Sequence, residues 1–235
     1  PIQLADVAAD QLFIEALNKV FFVSLATEEF IIAIRRILLT EFMSKVSIDS
    51  SLINLATGIV IYSANNEYVY IIDDQEQEML NSLVDLIKTV VSQQNWQPDE
   101  VSGSAIVYAM YNPLTDLFTT NNLAEYGLDS WPQFCREVFK RCLFDIFEEI
   151  EQSKQMPSLG VIEDNVSKDV QAQYESNPYP RWTSISFEAP MIYGDLLQRN
   201  LKGFKAPEFA FNENINLLIA GCGTGRHVLL VAKCF

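Results

Sequence analysis

"NLLIAGCGTGRHVLLVAKCF" spans residues 216–235. Four apolar residues, Leu217 to Ala220, run straight into Gly221, Gly223 and Gly225. With Ile215 ahead of them they read as the near-continuous apolar run of a buried parallel strand, expected over 215–220. Alternating glycines permit a tight turn and let a ligand come close to the backbone. The run after Arg226 is apolar enough for a packed helix, whose first amides would face whatever the turn holds. Strand, glycine turn and helix in this order predict the start of an α/β unit.

The preceding chain reads differently. Residues 10–22 and 27–44 carry helical periodicity, through Leu12, Ala16 and Val20, then Phe30, Ile34, Ile37 and Leu38. Thr27 with Glu28 and Glu29 predicts a helix start, because acids favour the positive N-terminal end. A third helix is expected over about 49–63. "EYVYII" (67–72) is β-rich and reads as a short strand or an extended link. Asp73 and Asp74 open a long helix to about Gln93, and helices are expected at 98–111 and 131–152. Ser130 is the expected N-cap of the last, with Pro132 in its first turn. "YNPLTDLFTTNN" (111–122) is turn-rich. The region 1–152 is therefore expected to be a mainly α-helical domain, without an internal repeat of fixed period.

After residue 153 the texture changes. "SKQMPSLGVIEDN" reads as a linker. Asp164 or Asn165 can cap a helix over 166–175. "SNPYPRW" (176–182) is expected to be an extended, aromatic-rich strap, since Pro178 and Pro180 disfavour helix. A short helix is expected near 191–200. The domain reading is thus 1–152 helical accessory domain, 153–182 linker and strap, and 183–235 the start of an α/β domain.

Charge follows the same division. The 235 residues carry a net −15, but residues 1–164 hold 9 basic against 25 acidic side chains, and 165–235 hold 7 against 6. An acidic helical body argues against direct nucleic-acid binding there. No uninterrupted apolar run of membrane-spanning length occurs. The chain has one histidine, His227, and four cysteines, Cys135, Cys142, Cys222 and Cys234, none in a CxxC pair. That argues against a metal site or disulfide framework and for a reducing, cytoplasmic setting. Cys135 and Cys142 read as core.

Three cofactor classes use a glycine turn of this kind. A phosphate-cradling loop needs Gly-Lys-Ser/Thr, whereas Gly225 is followed by Arg226 and His227. A dinucleotide fingerprint needs a third glycine at position 226, which is Arg226. What remains is GxGxG. As "GCGTG" it resembles motif I of class I S-adenosylmethionine-dependent methyltransferases, although Ile219 stands where that family often has an acid. "IEDNVSKDVQAQYESNPYPRW" (162–182), followed by "LLIAGCGTGRH", resembles a bacterial group of these enzymes with N-terminal tetratricopeptide repeats. The matching residues are Val166, Ser167, Val170, Gln173 to Glu175 and Asn177 to Trp182, and "NNEYVY" (65–70) and "YNPLTDLF" (111–118) are similar to its middle region.

The resemblance implies a Rossmann-like methyltransferase domain that binds S-adenosyl-L-methionine. It implies cofactor contacts from Ala220, Gly221, Cys222, Gly223, Thr224 and Gly225, with His227 lining the site from the first helical turn. The strap is expected to lie over the cofactor. Arg181 would pair with the methionine carboxylate, and Tyr174, Tyr179 or Trp182 would stack on adenine or wall off the sulfonium. The ribose-binding acid and the catalytic residues would follow this stretch. The lack of an initiator Met and of later strands therefore predicts an internal fragment, inactive alone, of a longer enzyme. Its methyl acceptor, a protein among the candidates, is not named by the sequence, and no membrane partner is expected. Two other readings stand beside this one: a non-catalytic helical interaction module with a vestigial glycine loop, and a nicotinamide-dependent oxidoreductase, against which Arg226 already speaks.

Overall fold

The computed structural model describes residues 3–45, 49–157, 160, 164–176, 182, 184–185, 189–212, 214–221 and 223–234. The chain divides into two compact units, Pro1–Pro157 and Ser158–Phe235. Among the described residues the structure is mainly helical and forms no strand.

In the first unit, α1 (Leu4–Ala9) leads into α2 (Gln11–Lys19), where the Phe13 amide donates to the side chain of the N-cap Asp10 at 3.0 Å. The buried face of α2 is Ile14 and Leu17, not the expected Leu12 and Val20, which are 81% and 50% exposed. The reason lies on α4 (Ile53–Asn65): Gly58 leaves a notch that seats Leu17 and Ile14, 3.4 and 3.7 Å from where a Cβ would stand. α3 (Leu25–Lys45) starts ahead of Thr27, because the Ser24 carbonyl accepts from the Thr27 and Glu28 amides. α4 follows a short 3-10 turn, Ser50–Leu52, capped by Asp49, and is buried on nearly all sides. The segment 67–72 is a link that forms no strand, with Glu67 and Tyr68 both at φ 57°.

α5 (Asp74–Val91) opens on a capping box: the Glu76 amide donates to Asp73, and the Asp73 amide donates back to the Glu76 carboxylate. Pro98 starts α6 (Pro98–Ala109), where its missing amide costs nothing. The expected helix over 131–152 is broken. Ser130 closes a 3-10 turn, Leu128–Ser130, and does not cap a helix. Trp131 is extended, as residues before proline tend to be, so helical turns resume only after Pro132. α7 (Arg136–Phe139) then passes through a π turn, Lys140–Phe144, into α8 (Asp145–Ser153). Trp131 stacks on Phe139 with ring centroids 3.8 Å apart, and Phe118 meets Trp131 edge-on. Cys135 and Cys142 sit in this core, where burial pushes their thiols up to about 12 and about 11.

In the second unit, α9 (Asn165–Ser176) is capped by Asp164, which accepts from the Ser167 amide and hydroxyl at 2.8 and 2.9 Å. α10 (Tyr193–Asn200) includes Gly194, where a Cβ would lie 2.6 Å from the Phe211 ring, so only glycine fits. α11 (Arg226–Cys234) follows the glycine turn, and the Met191 amide donates to the Cys234 carbonyl at 2.9 Å. The expected strand 215–220 is not formed: 215–219 carry no regular secondary structure and Ala220 is a bend. A strand is defined by cross-strand hydrogen bonds, and no described residue supplies a partner. Leu218 is consequently 94% exposed.

Candidate functional site

The glycine turn is built from backbone conformation. Gly221, Gly223 and Gly225 all occupy the left-handed region, at φ 72°, 54° and 81°. Side chains with a Cβ pay roughly 1–2 kcal/mol there, so the spacing GxGxG is what this path of the chain demands. A Cβ built on Gly221 or Gly225 would meet nothing within 4 Å. Glycine is therefore required by φ and not by crowding, and open space lies over the turn at both positions. α11 begins directly behind it, with the Leu229 amide donating to the Gly225 carbonyl at 3.0 Å.

One residue of the strap reaches this turn. The Trp182 indole N–H donates to the backbone carbonyl and to the hydroxyl of Thr224, each at 3.2 Å, across 42 residues of sequence. The indole ties the strap's end to the middle of the glycine turn. His227, in the first turn of α11, and Ala220, before the turn, are exposed. Tyr174 lies on α9 and is 61% exposed, with no hydrogen bond to the turn among the described residues. Tyr179, Arg181 and Cys222 lie outside the described residues. The structure thus brings together Trp182, Thr224 and the three glycines, and does not join Tyr174 to them. No group of three or more His, Cys, Asp or Glu side chains able to hold a metal occurs among the described residues.

Sequence reading missed a polar cluster in the first unit. Arg35 of α3 is fully buried. Its Nη2 donates to the Ile71 carbonyl at 2.8 Å, and its guanidinium lies over the rings of Tyr111 and Tyr70, at 4.0 and 5.7 Å. Its Nε and Nη1 have no hydrogen-bond partner among the described residues. Glu76, 1% exposed, accepts from the Tyr111 hydroxyl at 2.9 Å and from Arg36 at 3.2 Å, while Arg36 also pairs with Asp73. Burial pulls the Arg35 guanidinium down and pushes the Tyr111 phenol up, whereas the hydrogen bond to Glu76 raises Arg36. The signal was in the sequence: Arg35 falls four residues after Ile31 and four before Leu39, on the buried stripe of α3. This cluster joins α3, the 67–72 link, α5 and Tyr111 just beyond α6, and within it Arg36, Asp73, Glu76 and Tyr111 already serve one another. The glycine turn, with open space in front of it, is the stronger candidate for a ligand.

No protein-family model, curated protein or solved structure matches the chain.

Proposed function

We propose that the glycine turn binds S-adenosyl-L-methionine and that the protein transfers its methyl group to an acceptor. The observation that carries the reading is the run of three left-handed glycines between an apolar segment and α11, pinned at Thr224 by Trp182. In this reading 183–235 opens a Rossmann-like domain, 153–182 is a linker and strap, and 1–152 is an accessory helical domain. The residues present fit the cofactor. The bare backbone at Gly221 and Gly225 leaves space for its methionine and ribose portions, and the first amides of α11 face a polar ligand there. Ala220, Cys222 and Thr224 complete the turn, and His227 lines its edge. Arg181 is the partner for the methionine carboxylate in this reading, and Tyr179 is the strap aromatic for the adenine. Bound there, the cofactor supplies a methyl group already activated on a positively charged sulfur, so the protein's task is chiefly to position the acceptor.

Calorimetric titration of S-adenosylmethionine and S-adenosylhomocysteine into the gene-encoded chain, with NADH as control, tests the reading. Binding in the micromolar range, abolished by Gly223→Val and with no binding of NADH, is expected. A folded protein that binds neither sulfur ligand would leave the turn as scaffold and favour the helical interaction module.

A further inference from the structure

The Trp182 indole N–H is shared between two oxygens of one residue, the Thr224 carbonyl and hydroxyl, each at 3.2 Å. The donor lies 42 residues earlier in the chain, and its side chain is half-buried. Thr224 stands between Gly223 and Gly225, both left-handed, at φ 54° and 81°. Glycine takes positive and negative φ about equally well, so local sterics leave the turn on either side of Thr224 free to follow other paths. The indole supplies what those sterics do not: a tertiary restraint at the centre of the turn.

A planar trans peptide carries its C=O and the following N–H on opposite sides. Holding the Thr224 carbonyl therefore also sets the Gly225 N–H, which is turned away from the indole. The second bond, to the hydroxyl, restrains the Thr224 side chain, so one donor fixes backbone and rotamer together. A Cβ on Gly225 would meet nothing within 4 Å, so a ligand has room beside the peptide that the indole holds. A ligand that meets an ordered turn loses less affinity to ordering than one that has to impose the order itself. The polar edge of Trp182 is thereby committed to the protein's own turn.

We propose that Trp182 is a positioning residue: its indole N–H fixes the Thr224–Gly225 peptide and so presets the glycine turn for its ligand. This role differs from stacking on adenine or walling off a sulfonium, because it acts through the N–H and not through the face of the ring. The assignment rests on the reading of the turn as an S-adenosylmethionine site.

The test joins a spectroscopic reading of the ligand-free chain to calorimetry with S-adenosylhomocysteine. The chain has 3 tryptophans, and Trp96 and Trp131 are buried in the first unit. In the nitrogen-15-labelled chain, Trp182→Phe identifies the Trp182 indole resonance by its loss. Thr224→Val removes one of the two acceptors, so it is expected to move that resonance and to leave those of Trp96 and Trp131 in place. Trp182→Phe keeps an aromatic face without the N–H, and is expected to weaken S-adenosylhomocysteine binding about five- to tenfold, the effect of one lost hydrogen bond. Trp182→Leu is expected to weaken it to the same degree. Adding Thr224→Val to Trp182→Phe is expected to cost no more than about a further twofold, since the hydroxyl then has no indole to serve. A parent chain that binds neither S-adenosylmethionine nor S-adenosylhomocysteine would overturn the reading of the turn, and this assignment with it. A parent that binds while Trp182→Phe binds equally well would overturn the assignment alone. So would a loss confined to Trp182→Leu, which would make the ring face the contact, or losses from Trp182→Phe and Thr224→Val that multiply in full. Should the Trp182 variants not fold, a Trp182 resonance unmoved by Thr224→Val overturns it by itself.

Discussion

Arg35 and Glu76 show how unequal two buried charges can be. Arg35 is enclosed, and its Nε and Nη1 find no acceptor among the described residues. Its burial is a cost, offset by the Ile71 carbonyl and the face of Tyr111. Glu76 is the hub: Tyr111, Arg36 and the Asp73 amide all converge on its carboxylate. Removing a hub leaves donors stranded, whereas removing a poorly satisfied charge relieves a desolvation penalty. Glu76→Ala is therefore expected to destabilise the first unit by about 2–4 kcal/mol. Arg35→Met, of similar reach and without polar atoms to satisfy, is expected to stay within about 1 kcal/mol of the parent. Urea denaturation followed by tryptophan fluorescence measures both. A loss for Arg35→Met as large as that for Glu76→Ala would mean that the guanidinium, not the carboxylate, holds the cluster together.

At the scale of elements, starts were more legible than faces. The capping box that opens α5 and the acidic first turn of α6 are local chemistry, and Asp73 and Asp74 announced the first of them. α9 is a further case. The Ser167 amide and hydroxyl hold the Asp164 carboxyl below its ordinary value. A carboxylate depressed in the folded state contributes stability at pH above its unfolded value, 3.8, and loses it as pH falls through the lower folded value. The helical signal of α9, read from the carbon shifts of 165–176, is expected to hold at pH 5 and to decline below about pH 3.8. In Asp164→Ala it is expected to be weaker at pH 5 and flat with pH. An unchanged signal in that variant would show that α9 does not depend on its cap. The face of α2 had no such local signal, because Leu12 and Leu17 are equally apolar and only the notch at Gly58 chooses between them.

Across the whole molecule the two units differ sharply in burial. The first carries a continuous core from Val7 to Leu143, in which Phe118 and Trp131 each meet Trp96 and Phe139. In the second, Gly194, Ala210 and Cys234 alone are buried among the described residues. A stretch of that length without a core of its own rarely folds unaided. Residues 1–157 expressed alone are expected to unfold in one cooperative thermal transition that removes the near-ultraviolet signal of the tryptophans. Residues 158–235 expressed alone are expected to show no cooperative transition. A sharp transition in the shorter piece would mean that it buries apolar surface beyond the described residues.

The sequence by itself determined what short-range chemistry controls. It determined that the first 150 residues are helical, where most helices begin, and that the glycine spacing forces a left-handed turn ahead of α11, because φ preferences, caps and periodicity act within a few residues. It did not determine that Arg35 would be enclosed between Tyr70 and Tyr111, which face of α2 would be buried, or that the helix expected from Ser130 would start afresh after Pro132. Nor could it pair the apolar run 215–219 with a neighbour, or single out Thr224 as the group that Trp182 grips. Each of these depends on groups tens of residues apart meeting in space, and only the packed tertiary structure, in which every buried side chain competes for one volume, decides them.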